Sequence, residues 1–349
     1  MKRALISLTS ILLALVLLIS CGAATGNETQ SETPTETEVP TETEPSCSHD
    51  EWEETARTEP MPLADGSVTR TCRSCGHTET ETLPATKTLK VLSIGNSFSG
   101  DANAYLKDLM IAAGMKSFVI GHASIGGCSI DEHWANAQSG ENAYGYSEKT
   151  KFADESKKSS LEIALKEAAW DIIILQQVSN TSGVPSTYSN LENLIGFVKE
   201  KAINPNVKIM FHMTWAYQTG FKKTAFAQYY NNDQLTMYNA IADTVASVVV
   251  PRDDIVDIIP SGTAIQNLRS SYLGDTLTRD GTHMSYDHGR YTVGLTWLVK
   301  LTGASLDNFW WVPADYPNVL ADIEVIKEAV TNAVSDPFVI TPSKHPTIG

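Results

Sequence analysis

The stretch Leu-Lys-Val-Leu-Ser-Ile-Gly-Asn-Ser-Phe-Ser, residues 89–99, decides the fold and contains the first candidate functional residue. Its apolar first half has the length and composition of a buried strand, and the residues after it repeat apolar side chains at helical spacing. Ser97 therefore falls at a strand-to-helix turn. Such a turn exposes the serine hydroxyl and aims the N–H groups that begin the helix toward it.

Apolar runs of strand length recur along the chain and alternate with amphipathic stretches of helix length. Strands are predicted at residues 91–97, 118–124, 171–177, 207–214 and 255–259. Helices are predicted around residues 106–113, 161–168, 191–198, 235–249, 287–301 and 318–334. This alternation predicts an α/β domain of three layers, in which helices cover both faces of a five-stranded parallel sheet. Ligands bind such sheets beyond the carboxyl ends of the strands.

A second short string, Asp280-Gly281-Thr282-His283, lies far along the chain. Three residues of spacing allow an acid and an imidazole to lie on one side of a single turn. Asp280 can then orient the ring of His283 while the other ring nitrogen faces outward. Together with Ser97, the pair supplies the nucleophile, base and orienting acid of a serine esterase.

These strings resemble the SGNH (GDSL-like) hydrolase superfamily over about residues 90–302, in the branch whose first block is Gly-Asn-Ser-Phe-Ser. The resemblance implies a flavodoxin-like fold and assigns Ser97 as nucleophile and Asp280 with His283 as the terminal Asp-x-x-His pair. The loop Ser-Ile-Gly-Gly-Cys-Ser, residues 124–129, resembles the second block. Its Gly127 is implied to stabilise the oxyanion through the backbone N–H.

The third block of the superfamily, Gly-x-Asn-Asp after a strand, is altered in this chain. Asn180 stands at the asparagine position, but Val178 replaces the glycine and Thr181 the aspartate. The third oxyanion donor is therefore Asn180 or, from the end of the preceding strand, Gln176 or Gln177.

The resemblance implies acyl transfer by a serine hydrolase that needs no metal or organic cofactor for catalysis. Related branches include many polysaccharide deacetylases, so the expected activity is that of a carbohydrate O-acetylesterase acting on an acylated carbohydrate or another small ester. The alternative is a non-catalytic surface carbohydrate-binding lipoprotein on the same scaffold, which the altered third block favours.

The first 21 residues read as a lipoprotein signal peptide: Lys2 and Arg3 precede a short apolar run, and Leu-Ile-Ser-Cys ends at Cys21. Cys21 is the expected lipidation site, and two or three acyl chains would anchor the protein stably. Residues 22–46, rich in Thr, Glu and Pro, have too few apolar side chains to fold and are predicted to form a disordered stalk. The expected location is the cell surface, on the outer face of the cytoplasmic membrane of a Gram-positive bacterium.

Residues 47–86 form a small Cys/His module in this interpretation. Two pairs of side chains, Cys47 with His49 and Cys72 with Cys75, offer four ligands for a structural zinc ion, and His77 is a spare. A disulfide is the competing hypothesis, because the expected compartment is oxidising. Zinc is favoured because three cysteines cannot all pair within the module.

The remaining residues, 87–349, are long and apolar enough for one hydrolase domain, which we expect to be monomeric. The chain has a formal net charge of −15, and residues 22–85 hold 14 acidic and 3 basic side chains, a net of −11. The acidity thus belongs mainly to the stalk and the module. The chain has no basic stripe that could collect phosphates, which excludes nucleic acid as the expected partner.

Overall fold

The computed structural model describes residues 47–346, and those from His49 onward form one compact unit. The predicted signal peptide, Cys21 and the predicted stalk lie outside the described residues. Among the described residues, no helix has both the length and the apolar content needed to cross a membrane.

The fold is built on a mixed seven-stranded sheet, and a smaller three-stranded sheet lies before it in the chain. The strands of the smaller sheet are β1 Trp52–Thr58, β2 Gly66–Cys72 and β3 Thr78–Leu83. Those of the larger sheet are β4 Thr88–Gly95, β5 Ser117–Ser124, β6 Tyr144–Thr150, β7 Asp154–Ser159, β8 Ile172–Leu175, β9 Lys208–His212 and β10 Ile255–Ile259.

The strand order of the larger sheet is β10-β9-β8-β4-β5-β6-β7. The strands from β10 to β5 are parallel and coincide with the five predicted strands. Numbered among themselves in chain order, they run 2-1-3-4-5 from β5 to β10, the flavodoxin-like order, whose topological switch point lies between β4 and β8. All four residues of β8 are buried, and β8 lies between its parallel neighbours β4 and β9. Both faces of the sheet are therefore covered at this strand.

The prediction of a five-stranded, purely parallel sheet is wrong, because β6 and β7 add an antiparallel hairpin at the β5 edge. Their sequences, Tyr-Gly-Tyr-Ser-Glu-Lys-Thr and Asp-Glu-Ser-Lys-Lys-Ser, contain no apolar run. Charged side chains are typical of an edge strand, where they discourage pairing with another chain. The same polarity removes the hydrophobic pattern by which a strand is recognised in a sequence.

Ten α-helices surround the sheet in the described part of the chain, and they pack in groups. One group contacts the central helix α9, and another joins α3, α4 and α5. The helices are α1 Ser97–Asn103, α2 Leu106–Ala112, α3 Ile130–Ser139, α4 Leu161–Lys166, α5 Leu191–Lys201, α6 Thr224–Tyr230, α7 Gln234–Thr244 with a π-helical turn at Val245–Val249, α8 Ser261–Arg269, α9 His288–Thr302 and α10 Ile323–Ser335. Short 3₁₀ segments lie at Ser179–Thr181, Pro185–Tyr188 and Pro317–Asp322.

The strand register brings the candidate site together at one edge of the sheet. Gly95, the last residue of β4, pairs with Ser124, the last residue of β5. On the other side of β4, Ile94 pairs with Leu175 at the end of β8. The loops that follow these three strands therefore leave the sheet side by side.

Candidate active site

The turn after β4 presents Ser97 as the first residue of α1, as the sequence predicts. Asn96 caps the helix: its side-chain oxygen accepts a hydrogen bond from the backbone N–H of Phe98, at 3.0 Å. The Asn96 side chain also donates to the backbone oxygen of Cys128, at 3.1 Å, which ties the turn to the loop after β5. Ser97 itself is exposed.

Ser97, His283 and Asp280 meet in one hydrogen-bonded chain, although 186 residues separate the first two. His283 Nε2 lies 2.8 Å from Ser97 Oγ, and His283 Nδ1 lies 2.7 Å from Asp280 Oδ2. The carboxylate accepts from the Nδ1–H tautomer, so Nε2 is left to accept the serine proton. This is the arrangement by which an imidazole activates a hydroxyl nucleophile.

Asp280 stays ionised because its neighbours favour the charged carboxylate. Partial burial raises its pKa, but hydrogen bonds from the backbone and ring of His283 and from Thr282 outweigh that effect and hold the pKa well below its usual range. The Asp280 Oδ1 atom accepts from the backbone N–H of His283 at 2.7 Å and of Thr282 at 2.9 Å. The acid thus fixes both the backbone of the turn and the ring of His283.

A buried carboxylate on α1, Asp101, ties the helix that begins at Ser97 to the loop that carries His283. Asp101 is 1% exposed and accepts from Arg279 Nη1 at 3.0 Å and 3.2 Å, from Arg290 Nε at 2.8 Å and from the backbone N–H of Met284 at 2.9 Å. The two guanidinium groups lie over the ring of Tyr286, at 4.9 and 4.6 Å from its centroid. Asp101 lies one helical turn after Ser97, so it links the Ser97 turn directly to the loop of His283.

Gly281 allows the turn of the Asp280–His283 segment to form. Its φ is +87°, and a Cβ at this position would lie 2.3 Å from a ring carbon of Phe221. The turn is also held by Trp215, whose indole N–H donates to the backbone oxygen of Thr282 at 2.7 Å. Trp215 in turn stacks on Phe98, the residue after the nucleophile, with ring centroids 4.2 Å apart.

A pocket of about 300 Å³ opens at Ser97 and His283. Its walls come from the turn after β4, the loop after β5, the segment after β8 and two loops further along the chain. The lining residues are Asn96, Ser97, Phe98, Gly127, Val178, Ser179, Asn180, Lys223, Thr282 and His283. The volume lies at the small end of the range for ligand pockets.

Two of the predicted oxyanion residues line this pocket. Gly127 lies in the loop after β5 with φ +67°, and Asn180 lies in the 3₁₀ turn after β8. The Oδ1 atom of Asn180 is buried and has no hydrogen-bond partner among the described residues. Both residues therefore lie in the wall of the pocket at Ser97.

Gln176 and Gln177 lie elsewhere, contrary to their predicted role. Gln176 is 2% exposed; its amide donates to Asn96 Oδ1 at 2.8 Å, and its oxygen lies 3.1 Å from His212 Nδ1. Gln177 joins the backbone N–H of Ile130 to Thr187. Because their amide groups are engaged behind the pocket, both glutamines support the site from within the core.

The buried histidines outside the site are neutral. Burial lowers the pKa of His212 to about 3 and those of His122 and His133 to about 4. Ser99 donates to the backbone oxygen of Asn96, so the His122 Nε2 atom 2.9 Å away must be the donor to Ser99 rather than its base.

Cys128 is also inert, because burial raises the pKa of its thiol to about 12. It packs as a small side chain that is 2% exposed.

The cysteine and histidine side chains of the N-terminal module form a cluster. One ligand atom from each of Cys47, His49, Cys72 and Cys75 lies within 4.8 Å of those of the other three. His49 Nδ1 is 3.4 Å from Cys75 Sγ, and His49 adopts φ +53°. The ring of His77, the predicted spare ligand, lies 4.8 Å from the ring of His49. These donors suit a tetrahedral zinc ion.

Two features of the site were missed by sequence reasoning. Lys223 lines the pocket from the loop before α6, where nothing in the local sequence marks it. Asp101 lies in the helix that follows Ser97, and its arginine partners lie 178 and 189 residues away. In both cases the contacts join segments far apart in the chain, so only the tertiary structure identifies them.

The chain is similar to several solved structures, among them one that is 37% identical and two that are less than 20% identical. No curated protein matches the sequence significantly. A putative SGNH hydrolase from Slackia heliotrinireducens is 17% identical with a TM-score of 0.39, covering 61% of this chain and 98% of its own. The structure of TesA is 12% identical with a TM-score of 0.40, covering 62% and 99%. At these scores the likeness carries no functional inference.

A more similar structure comes from a family whose sequence model also matches this chain. A DUF4886 family protein from Bacteroides uniformis ATCC 8492, solved by crystallography, is 37% identical with a TM-score of 0.68, covering 73% of this chain and 98% of its own. The model of that family, described as a domain of unknown function, matches residues 90–332. The region includes all strands of the larger sheet except the first two residues of β4, together with the Ser97, Asp280 and His283 cluster. The chain therefore belongs to the DUF4886 family.

Proposed function

We propose that the protein is a serine esterase in which Ser97, His283 and Asp280 act as a catalytic triad. The observation that carries the proposal is the continuous chain from Ser97 Oγ through His283 to Asp280, with links of 2.8 and 2.7 Å. The chain lies at the carboxyl end of β4, beside the topological switch point where α/β sheets bind ligands.

In the proposed reaction, His283 Nε2 takes the Ser97 proton as the serine oxygen attacks the ester carbonyl. His283 then protonates the leaving alcohol, which leaves an acyl-serine and a neutral imidazole. A water molecule gives a proton to His283 and attacks the acyl group. The bond between the acyl carbon and Ser97 Oγ then breaks, and His283 returns the proton to Oγ, which releases the acid and restores Ser97. Asp280 stabilises the imidazolium formed in each step.

The backbone N–H groups of Ser97 and Gly127 and the side-chain amide of Asn180 are the proposed donors to the tetrahedral oxyanion. The first N–H groups of a helix have no partner within the helix, which leaves that of Ser97 for the substrate. Removing one such donor costs roughly 3 to 4 kcal/mol of transition-state stabilisation in comparable sites. Asn180 thus takes the role that the sequence divided between it and the two glutamines.

The proposed substrate is an O-acetylated carbohydrate, hydrolysed by a monomer. The small pocket of about 300 Å³ supports a short acyl group rather than a long acyl chain. The resemblance to branches that deacetylate polysaccharides supports a carbohydrate as the alcohol part of the ester.

The test is acetate release from 4-nitrophenyl acetate and acetylated xylan by the purified protein. We expect turnover that Ser97→Ala abolishes and that Ser139→Ala, an exposed serine on α3, retains. A fluorophosphonate probe should label the protein but not the Ser97→Ala variant. Equal rates in the protein and Ser97→Ala, with no labelling, would favour the non-catalytic carbohydrate-binding alternative.

A structural zinc ion in the cysteine cluster is a separate proposal. Three thiols and one imidazole, with ligand atoms within 4.8 Å of one another, support a closed four-ligand site. We expect about one zinc per chain, lost in Cys72→Ser and Cys75→Ser but kept in Cys128→Ser, whose thiol lies outside the cluster. A disulfide at Cys47, detected by thiol counting before and after reduction, would overturn the proposal.

Anchoring at the cell surface through Cys21 is the proposed location. The charged start, the apolar run and the cysteine of residues 1–21 support it. We expect palmitate labelling and membrane fractionation of the protein, both lost in Cys21→Ser. A Cys21→Ser variant that still takes up label would contradict it.

A further inference from the structure

The pocket at Ser97 is lined by a positively charged residue, Lys223, that the proposed chemistry does not use. Lys223 is the lining residue, among those described, whose side chain is cationic at neutral pH; the others are uncharged apart from the titratable His283. Acyl transfer requires donors at the oxyanion and a base at the serine, and both are supplied by other residues. Lys223 is therefore available to contact another part of a bound molecule.

The loop that carries Lys223 is anchored to the base-bearing loop. The backbone N–H of Gln218 donates to the backbone oxygen of Gly281 at 2.8 Å, and that of Thr219 donates to Asp275 at 2.7 Å. Phe221 fills the space left by the missing side chain of Gly281. The position of Lys223 is thus set by the same contacts that shape the Asp280–His283 turn.

The ammonium group of Lys223 lies over the ring of Tyr217, 5.5 Å from its centroid. Tyr217 is itself fixed, because its hydroxyl lies 2.9 Å from that of Ser179, another lining residue. Within residues 47–346, no carboxylate lies within ion-pair distance of Lys223. The Lys223 ammonium thus has an aromatic contact but no ion-pair partner among the described residues, so a carboxylate of a molecule bound in the pocket could pair with it.

We propose that Lys223 binds a carboxylate of the substrate, so that the preferred esters are O-acetylated acidic sugars. The proposal rests on the proposed esterase function and names its substrate class. An acetyl group has no charge of its own, so the carboxylate must belong to the sugar that leaves as the alcohol. A charge-assisted hydrogen bond from an ammonium to a carboxylate is stronger than a neutral one and favours the acidic sugar over its neutral form.

The experiment compares substrates that differ only in this charge. Acetylated oligogalacturonate and O-acetylated sialic acid are each paired with their carboxyl methyl esters, and released acetate gives kcat/KM. We expect the protein to favour each acid over its methyl ester by about tenfold. Lys223→Gln should reduce that ratio to about one, and Lys223→Glu should invert it.

The matched control is Lys222→Gln, an exposed neighbour that does not line the pocket. It should keep the ratio of the unaltered protein. The preference should also fall in 0.5 M salt, which screens an ion pair at an open pocket.

Two failures are distinguishable. Turnover of 4-nitrophenyl acetate together with an acid-to-ester ratio near one for both sugars would overturn this proposal alone. A ratio that Lys223→Gln leaves unchanged, or that Lys222→Gln reduces equally, would overturn it as well. No turnover of any ester would overturn the proposed esterase function and this inference with it.

Discussion

Asp101→Ala should destabilise the protein and slow its reaction by separating the two halves of the site. The carboxylate is 1% exposed, and its loss leaves Arg279, Arg290 and the N–H of Met284 without their acceptor. Breaking a buried ion pair from one side costs about 3 to 5 kcal/mol. Because both arginine side chains are about a quarter exposed, water can solvate them, and the expected loss is about 3 kcal/mol.

The effect on activity follows from the position of Asp101 between α1 and the loop of His283. If this loop moves by about 1 Å relative to Ser97, a loss of roughly 10²-fold in kcat is expected. KM should change little, because Asp101 does not line the pocket. Asp101→Asn keeps one acceptor oxygen and should fall between the alanine variant and the unaltered protein in both measurements.

Urea unfolding measures the free energy of unfolding of each variant. The kcat on 4-nitrophenyl acetate reports whether the His283 loop keeps its position relative to Ser97. Asp108→Asn removes an exposed carboxylate from the next helix and should change the free energy of unfolding by less than about 0.5 kcal/mol. In a double-mutant cycle, Arg290→Ala should show coupling with Asp101→Ala of at least about 1 kcal/mol. The reasoning is refuted if Asp101→Ala lies within about 0.5 kcal/mol of the unaltered protein and keeps its kcat.

Three further predictions concern the triad, its turn and the buried histidines. Asp280→Asn should lower kcat by about 10⁴-fold, because His283 would lose the acceptor that sets its tautomer; a loss below tenfold in steady-state assays would contradict the triad. Gly281→Ala should lower kcat through the clash with Phe221, whereas Gly274→Ala, with positive φ but open space, should cost stability only; equal kcat values would speak against the clash. The folded pKa values of His122, His133 and His212, about 4, 4 and 3, lie below the unfolded value of about 6.5, so the unfolded chain binds more protons as the pH falls. Stability should therefore be complete above about pH 6.5 and decline toward pH 4, and equal urea midpoints at pH 7 and pH 5 would count against it.

Local patterns predicted the strands of the parallel sheet and singled out Ser97, Asp280 and His283, which the fold brings into hydrogen-bond contact. The apolar run before Ser97 predicts a buried strand, because a strand that is buried on both faces needs apolar side chains at successive positions. Asp280 and His283 are three residues apart, so their pairing is a local event. A hydrophobic pattern that repeats every few residues, or a hydrogen bond within a single turn, can therefore be predicted from the sequence.

The hairpin β6–β7, the glutamines and the partners of Asp101 required the tertiary structure. The hairpin at the edge of the sheet carries polar side chains, which discourage pairing with another chain, so it lacks the apolar pattern by which a strand is predicted. Gln176 follows the same strand that leads to Asn180, and only packing decides which amide reaches the pocket and which turns toward Asn96.

By itself, the sequence determined the strand–helix alternation, the nucleophile turn and the Asp-x-x-His pair, because each depends on neighbours in the chain. Only the tertiary structure decided that Ser97 Oγ lies 2.8 Å from His283, that Asp101 holds their two segments together and that Lys223 faces the same pocket. Those contacts join residues far apart in the chain, and they form only when the parallel strands align their carboxyl ends at one edge of the sheet.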